Sequence, residues 1–380
     1  MADPRSKMAT QTDSSGTFGD VGLLSRIATH EEVGAIWKRR SGLRAIIAIH
    51  STALGPALGG TRFRAYASMD EALRDVLRLS KAMSYKAAVA GLDLGGGKAV
   101  IVGDPGKVKS DELLIDYARF VESFEGRYLT AEDVGTTQAD LDLIGEHTRY
   151  ATGRSASLGG SGDPSPLTAY GVVRAMEAAA EAIFGTASLA GRHVAVNGVG
   201  KVGHDVAVLC AERGARITVA DISPQAVASV LDQTSAEVAT PAEIHTTECD
   251  IYAPCALGGA LSARTVPELG CRVVCGAANN QLDTPDVDEA LQARGIAYVP
   301  DYVANAGGII NIAYEQGGYN PAAAKRHVGR IYDTTKTLFE QAHRTGETLS
   351  ALADRMAEAR MSTTSSGSRL KTSEVPPQPA

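Results

Sequence analysis

The run His193-Val-Ala-Val-Asn197 has strand character, and Gly198-Val-Gly200-Lys-Val-Gly203 follows it with no spacer. A helical pattern opens at once over residues 201–213, and a second apolar run, Arg216-Ile-Thr-Val-Ala220, ends in Asp221. Glycine triplets are common in loops, but between a strand and a helix each has a use. The first permits a tight turn, the second lets a pyrophosphate approach the backbone, and the third lets the helix pack close to the strand. The helix N-terminus adds free N–H groups for phosphate. Asp221 lies eighteen residues beyond Gly203, where a carboxylate can take adenine-ribose hydroxyls. It would repel a 2′-phosphate, and Ile222-Ser-Pro224 brings no arginine to receive one. NAD is therefore expected over NADP, held by Gly198, Gly200, Lys201, Val202, Gly203 and Asp221. A sheet of this shape with no nucleotide is the alternative.

From residue 193 onward strands and helices alternate, with strands at 193–197, 216–220, 250–253, 272–276 and 296–299. That rhythm predicts a parallel sheet with helices on both faces, whose ligand lies beyond the carboxyl ends of the strands. Three loops qualify: Pro254–Gly259, Gly276–Asn280 and Pro300–Gly308. Their small residues and amides suit an uncharged nicotinamide ring, although turn chemistry alone accounts for any one amide.

The earlier half is a separate unit. It opens with the strand-like run Leu43–Ile49 and a glycine-rich turn, Leu54-Gly-Pro-Ala-Leu58-Gly59-Gly60-Thr-Arg62. Ser68-Met-Asp-Glu71 is a capping-box pattern that starts a helix carrying Lys86 near its end. The Gly/Ser/Pro-rich segment 153–166 reads as the crossing between domains. The expected organisation is an α/β chain of two domains. It has a polar extension at 1–20, an N-terminal α/β substrate and oligomerisation domain at 21–152, and a C-terminal Rossmann-type NAD-binding domain at 153–349. A helix at 350–361 returns to the first domain, and a Ser/Pro-rich tail fills 362–380.

Net charge is −7, with no basic stripe, which argues against nucleic acid or an acidic membrane as partner. No apolar run approaches the roughly 20 residues of a membrane span, and the first residues carry no secretory signal, so a cytoplasmic protein is expected. The five cysteines are odd in number and contain no CxxC pair, which predicts reduced thiols and no metal site.

Lys86 and Lys98 stand twelve residues apart across an expected bend, and Lys98 follows Gly95-Gly96-Gly97. Three glycines mark backbone that turns tightly or approaches something closely. A lysine held there beside a second cation can give up its proton near neutral pH and act as a base. The plain alternative is a surface hairpin with two solvated lysines.

Together these motifs resemble the glutamate/leucine/phenylalanine/valine dehydrogenase family, its branched-chain members above all, over roughly residues 40–362. The resemblance rests on Leu54–Arg62, Met83–Lys86, Gly95–Lys98, Thr130–Gly135, Gly162–Thr168, the nucleotide fingerprint, Ala253–Gly259, Ala277–Asn280 and Asn305–Gly308. It implies that Lys86 holds a substrate α-carboxylate, that Lys98 is the catalytic lysine acting through water, and that Asp133 handles the amine proton. Gly59 and Gly60 would bring backbone close to the substrate. Thr168 and Asn280 would help place nicotinamide and substrate, and Cys255 and Ala256 would line the cofactor. The implied reaction is NAD-dependent oxidative deamination of an L-amino acid, by a homo-oligomer.

By the same resemblance Leu58 stands where the glutamate-specific branch has a lysine, and a leucine cannot hold a side-chain carboxylate. Ala131, Ile309 and Ile312 would complete an aliphatic pocket suited to valine, leucine and isoleucine. Phenylalanine dehydrogenation, or NAD binding without turnover, are the other readings. Without the resemblance Asp133 would pass for part of an exposed acidic turn, and the isoleucines for helix core. Asp163 stands where related sequences often carry asparagine, which puts hinge geometry in question.

Overall fold

The computed structural model describes residues 26–365. The 1–20 extension and the tail beyond residue 365 lie outside the described residues. Two sheets carry the molecule. The first has the order β1-β2-β4-β3-β5, from β1 (Glu32–Trp37), β2 (Arg44–Ser51), β3 (Ala57–Arg64), β4 (Gly95–Val102) and β5 (Tyr128–Glu132). β1 and β2 run antiparallel to their neighbours, while β3 lies parallel to both β4 and β5.

Alternation sorts this sheet into two faces. Ala57, Phe63, Ala99, Ile101 and Tyr128 pack with α2 (Asp111–Glu122) and α3 (Gln138–His147). Leu58, Leu129 and Ala131 point the other way, into an apolar cluster shared with the second half of the chain. The helix α1 (Met69–Val89) lies on that second face. Its Ser68 cap accepts from Glu71 N at 3.1 Å, while the Glu71 carboxylate takes the N–H of Ala67 instead of closing the box on Ser68.

Two local readings are refined. Of the tight turn and the close approach open at Gly95–Gly97, the structure takes the close approach: all three are buried strand residues of β4, none has positive φ, and the bend between the two lysines lies before them. A Cβ on Gly96 would stand 2.0 Å from Ser84 N, and one on Gly97 2.7 Å from the Tyr128 ring. Gly96 lets α1 settle directly onto the sheet, while Gly97 makes room for the Tyr128 ring on the other face. Likewise the turn expected at 54–62 ends before Ala57, because Leu58, Gly59 and Gly60 belong to β3. Strand β1 precedes the first expected strand; its Gly34 and exposed Trp37 gave it no apolar alternation to read.

The second sheet is parallel throughout: β11-β10-β9-β6-β7-β8. Its strands are β6 (His193–Asn197), β7 (Arg216–Ala220), β8 (Glu237–Val238), β9 (Ile251–Pro254), β10 (Val273–Val274) and β11 (Ala297–Tyr298). Numbered within the domain this is the order 3-2-1-4-5-6, whose direction of winding reverses between β6 and β9. Helices α4 (Ser165–Phe184) and α5 (Lys201–Glu212) pack over it, with α6 (Pro224–Leu231), α7 (Asp286–Ala293) and α8 (Gly307–Ala313). The single helix expected near 321–343 is two, α9 (Pro321–Gly329) and α10 (Ile331–Thr345), joined at Arg330.

The last helix, α11 (Leu349–Ser365), reaches beyond residue 361 and packs on α1. There Tyr85 Oη donates to Glu358 at 2.7 Å, and Arg360 donates to the carbonyls of Ala88 and Leu92. Among the described residues no helix is long and apolar enough to cross a membrane.

Candidate active site

Lys98 shares the α1 side of β4 with Val100, while Ala99 and Ile101 face away. It is only 6% exposed, and its ammonium meets Asp133 Oδ2 at 2.9 Å. Asp133 follows β5, so this pair reaches across the whole width of β3, with strands about 4.8 Å apart. The intervening residues are Gly59 and Gly60, and their glycine identity is what leaves the passage. A Cβ on Gly60 would lie 2.9 Å from Asp133 Cβ, and one on Gly59 1.7 Å from Gly97 O.

Behind the pair stands Arg62, also on β3. Its Nε donates to Asp133 Oδ2 at 3.1 Å and its Nη1 to Asp75 Oδ2 at 3.0 Å. Thr136 fixes the loop, accepting from Asp133 N and donating to Thr61 O, both at 2.9 Å. Burial pushes the Asp133 carboxyl up, but Lys98 and Arg62 outweigh it and hold the group below the usual carboxylate range. Asp133 is thus an ionised acceptor, not part of a solvated turn.

Lys86 comes from the last turn of α1, and its ammonium donates to Asn305 Oδ1 at 2.7 Å. Asn305 belongs to the other half of the molecule, and its own N–H2 is committed to Ala277 O and Asn279 Oδ1. Burial of the ammonium lowers the Lys86 pKa to about 8, against an opposing pull from Asp301. Asp301 is itself pushed up by burial and accepts from Gln281 N. An amine in this range carries a charge at neutral pH, and no carboxylate among the described residues lies within ion-pair distance of it, which suits it to an anion.

The wall opposite is the β6–α5 turn. Gly198 has φ +93°, and a Cβ there would meet Ala256 at 2.6 Å, against the loop that Cys255 and Ala256 form after β9. Gly200 caps α5 with no side-chain bond, and a Cβ added to it meets nothing within 4 Å. On Gly203 a Cβ would strike Gly198 O at 1.9 Å. One turn-former, one open approach and one close contact fit a pyrophosphate cradle. Val202 packs into the apolar cluster, so it offers backbone only. Asp221 accepts from Val199 N and Ser223 N, both at 2.8 Å, which ties the end of β7 to the glycine turn. Lys201 pairs with Asp163 at 3.1 Å, so the departure at 163 links the interdomain crossing to the cradle.

Leu58 (1% exposed), Ala131, Ile309 and the partly buried Ile312 fall in one apolar cluster that spans both halves. Thr168, in the first turn of α4, donates to Pro164 O and abuts Gly308. Asn280, at the end of the β10 loop, is exposed and left-handed, with φ +53°. Its Oδ1 accepts from Arg78 Nη1 of α1 at 3.0 Å.

Two matches decide the family. The model for the Glu/Leu/Phe/Val dehydrogenase dimerisation domain covers residues 30–150, and the Glutamate/Leucine/Phenylalanine/Valine dehydrogenase model covers 159–228 and 222–361. This chain belongs to the Glu/Leu/Phe/Val dehydrogenase family. It is an amino-acid dehydrogenase, and the family implies a nicotinamide cofactor. The chain is 52% identical to the valine dehydrogenase of Streptomyces virginiae over 88% of its own length and 94% of that protein's. It is 49% identical to the leucine dehydrogenase of Geobacillus stearothermophilus, over 88% and 91%. Among solved structures it resembles L-tryptophan dehydrogenase from Nostoc punctiforme, at 40% identity and a TM-score of 0.80, covering 92% of this chain and 99% of that one.

Sequence reasoning passed over four residues here. Arg62 closes a quoted motif but received no role, because arginine after glycines looks like an ordinary strand-end charge. Asn305 and Asp301 were quoted only within a loop and given no role, and Asp75 was not singled out at all. Each acts through a partner distant in sequence, which no local spacing reveals.

Proposed function

We propose that this dehydrogenase uses NAD to deaminate branched-chain L-amino acids, valine with leucine and isoleucine, to their 2-oxo acids and ammonia. The observation that carries the reading is the Lys98–Asp133 pair at 2.9 Å, buried opposite a nucleotide cradle with Lys86 on the rim between them. Asp221 and the absence of arginine at 222–224 favour NAD over its phosphorylated form.

When bound, the nicotinamide supplies the hydride acceptor. The chain's side chains do the rest. Lys86 receives the α-carboxylate, which turns the Cα–H toward the cofactor wall. Asp133, held ionised, accepts a proton from the substrate ammonium and later returns it to the departing nitrogen. Lys98 holds the attacking water against the iminium carbon and carries off the proton that this water gives up. Gly59 and Gly60 keep the floor low enough for the substrate to lie against it. Leu58, Ala131, Ile309 and Ile312 enclose the aliphatic side chain, and Thr168 and Asn280 border the nicotinamide.

The domain limits of the first section, a cytoplasmic setting and a homo-oligomer built through the first domain belong to the same reading. The family description of that domain supports the last.

A rate panel of L-valine, L-leucine, L-isoleucine, L-phenylalanine and L-tryptophan with NAD, read as NADH absorbance, tests it. Aliphatic substrates should lead, with valine first. A pocket discriminates by only about 1–3 kcal/mol per methylene, so all three should react. Faster turnover of either aromatic would overturn the pocket assignment, and no turnover of any would leave a non-catalytic nucleotide binder.

A further inference from the structure

The geometry points to Arg78 as a positioning residue that couples closure of the two domains to the catalytic carboxylate. The inference rests on the reading above and concerns the same site.

Arg78 projects from α1 and makes two contacts of different kinds. Its Nη2 donates to Asp75 Oδ1 at 3.0 Å within its own domain. Its Nη1 donates to Asn280 Oδ1 at 3.0 Å on the other. Asp75 is 14% exposed at its side chain, and its second oxygen takes Arg62 Nη1 at 3.0 Å and Tyr66 Oη at 2.9 Å. Arg62 in turn reaches Asp133, which meets Lys98. The charged chain Arg78–Asp75–Arg62–Asp133–Lys98 is therefore unbroken, and its outer end holds a residue of the cofactor domain.

A guanidinium has only donors, so the contact forces Asn280 to turn its carboxamide oxygen toward Arg78. The N–H2 end is left to face elsewhere. Asn280 also occupies the left-handed region, at φ +53°, a conformation asparagine tolerates but does not prefer. Arg78 thus presents Asn280 as a hydrogen-bond donor, which suits a carbonyl or carboxylate oxygen of the ligand. When the domains part, Asn280 loses its orientation, while Arg78 keeps its bond to Asp75 on the same helix and is left with one acceptor in place of two. The charged chain that ends at Asp133 is then no longer anchored on the cofactor domain.

The test is steady-state kinetics with L-valine and NAD on wild type, Arg78→Gln, Arg78→Lys, Asn280→Ala and Arg78→Gln/Asn280→Ala, with Arg74→Gln as control. Arg74 lies one turn earlier, is 64% exposed at its side chain and pairs with Asp70. NADH binding is followed separately by its fluorescence, and melting temperature reports the fold. Arg78→Gln should lower kcat/KM by about 10- to 100-fold, the loss of hydrogen bonds to a charged group. The loss should fall mainly on kcat, with the lower limb of the pH–kcat profile displaced. Arg78→Lys should recover part of it, since one ammonium can serve Asp75 or Asn280 but not hold both in plane. The double variant should be little worse than either single one, because the two act as a unit.

Arg78→Gln within twofold of wild type, additive losses in the double variant, or an equal loss in Arg74→Gln would each overturn the inference. Should Arg78→Gln melt early, Asn280→Ala alone must show a kcat loss of the same size, and its failure to do so counts equally against the coupling. If the wild type itself turns over no branched-chain amino acid, the functional reading falls first and the inference with it. Active wild type with unaffected variants rejects the inference alone.

Discussion

On the sheet side of the cleft, Lys98 and Asp133 are fixed within one small domain, on backbone packed so closely that glycine is required at 59, 60, 96 and 97. On the facing side the corresponding residues sit in loops after β6, β9, β10 and β11, where Asn280 is exposed and Gly200 opens onto free space. Both walls are rich in glycine, but for opposite reasons. In β4 and β3 glycine removes volume between buried elements, while at Gly198 and Gly200 it shapes a turn and leaves room for a ligand. Under the proposed reaction, the contrast gives rigidity to the residues that would move protons and adaptability to those that would receive the cofactor.

Three substitutions or titrations can break or sharpen that contrast. The largest effect is expected for Gly96→Ala. Its Cβ would lie 2.0 Å from Ser84 N and 2.4 Å from Ser84 Cα, which are backbone atoms and cannot swing away. Overpacking of this kind costs about 3 kcal/mol or more, so thermal melting should show a chain that barely folds. A melting temperature near wild type would mean that the floor is not as tightly packed as described.

Gly200→Ala should do the reverse. Nothing lies within 4 Å of the added Cβ, so stability should stay within about 0.5 kcal/mol of wild type. The methyl group would stand where the pyrophosphate must approach, and the KM for NAD should rise about tenfold, or 1.4 kcal/mol. An unchanged KM would remove the cradle from the account.

The third test concerns Lys86, on the seam between the walls. Its pKa is depressed to about 8, so the folded chain carries the ammonium below that pH and loses it above. A carboxylate ligand needs the charged form. The inhibition constant of 3-methylbutanoate, which has no amine to titrate, should therefore be flat below pH 8. Above it the constant should climb, approaching tenfold per pH unit. Lys86→Arg should remove the climb, and a constant independent of pH from 7 to 9.5 would place the anion elsewhere.

How much of this was legible in the chain follows the same division. The β6–α5 unit was readable to within a residue at its strand, because its glycines, strand and helix are contiguous. The parallel strands β10 and β11 were placed correctly though shorter than expected, since each keeps only two paired residues. The floor was misread in its local form. Gly95–Gly97 and Leu58–Gly60 look like turns because glycine disfavours strands, yet here close packing on α1, Tyr128 and the neighbouring strands outweighs propensity. Strand β8 has two exposed residues and no apolar signature at all. Lys86, Lys98 and Asp133 could be named from motifs. Their supports, Arg62, Asp75, Asp301 and Asn305, could not, because each partnership joins segments that only the folded sheets bring together.

The central claim is that Lys98 reacts with the substrate while cofactor binding resides on the other wall. Lys98→Ala, compared with wild type for NADH binding by fluorescence and for L-valine turnover, tests it most directly. The account predicts NADH affinity within about threefold of wild type, an equivalence of less than 1 kcal/mol. Turnover should fall by about three orders of magnitude, within the range for loss of a general base. Turnover within tenfold of wild type, or a matching collapse of NADH binding, would contradict it.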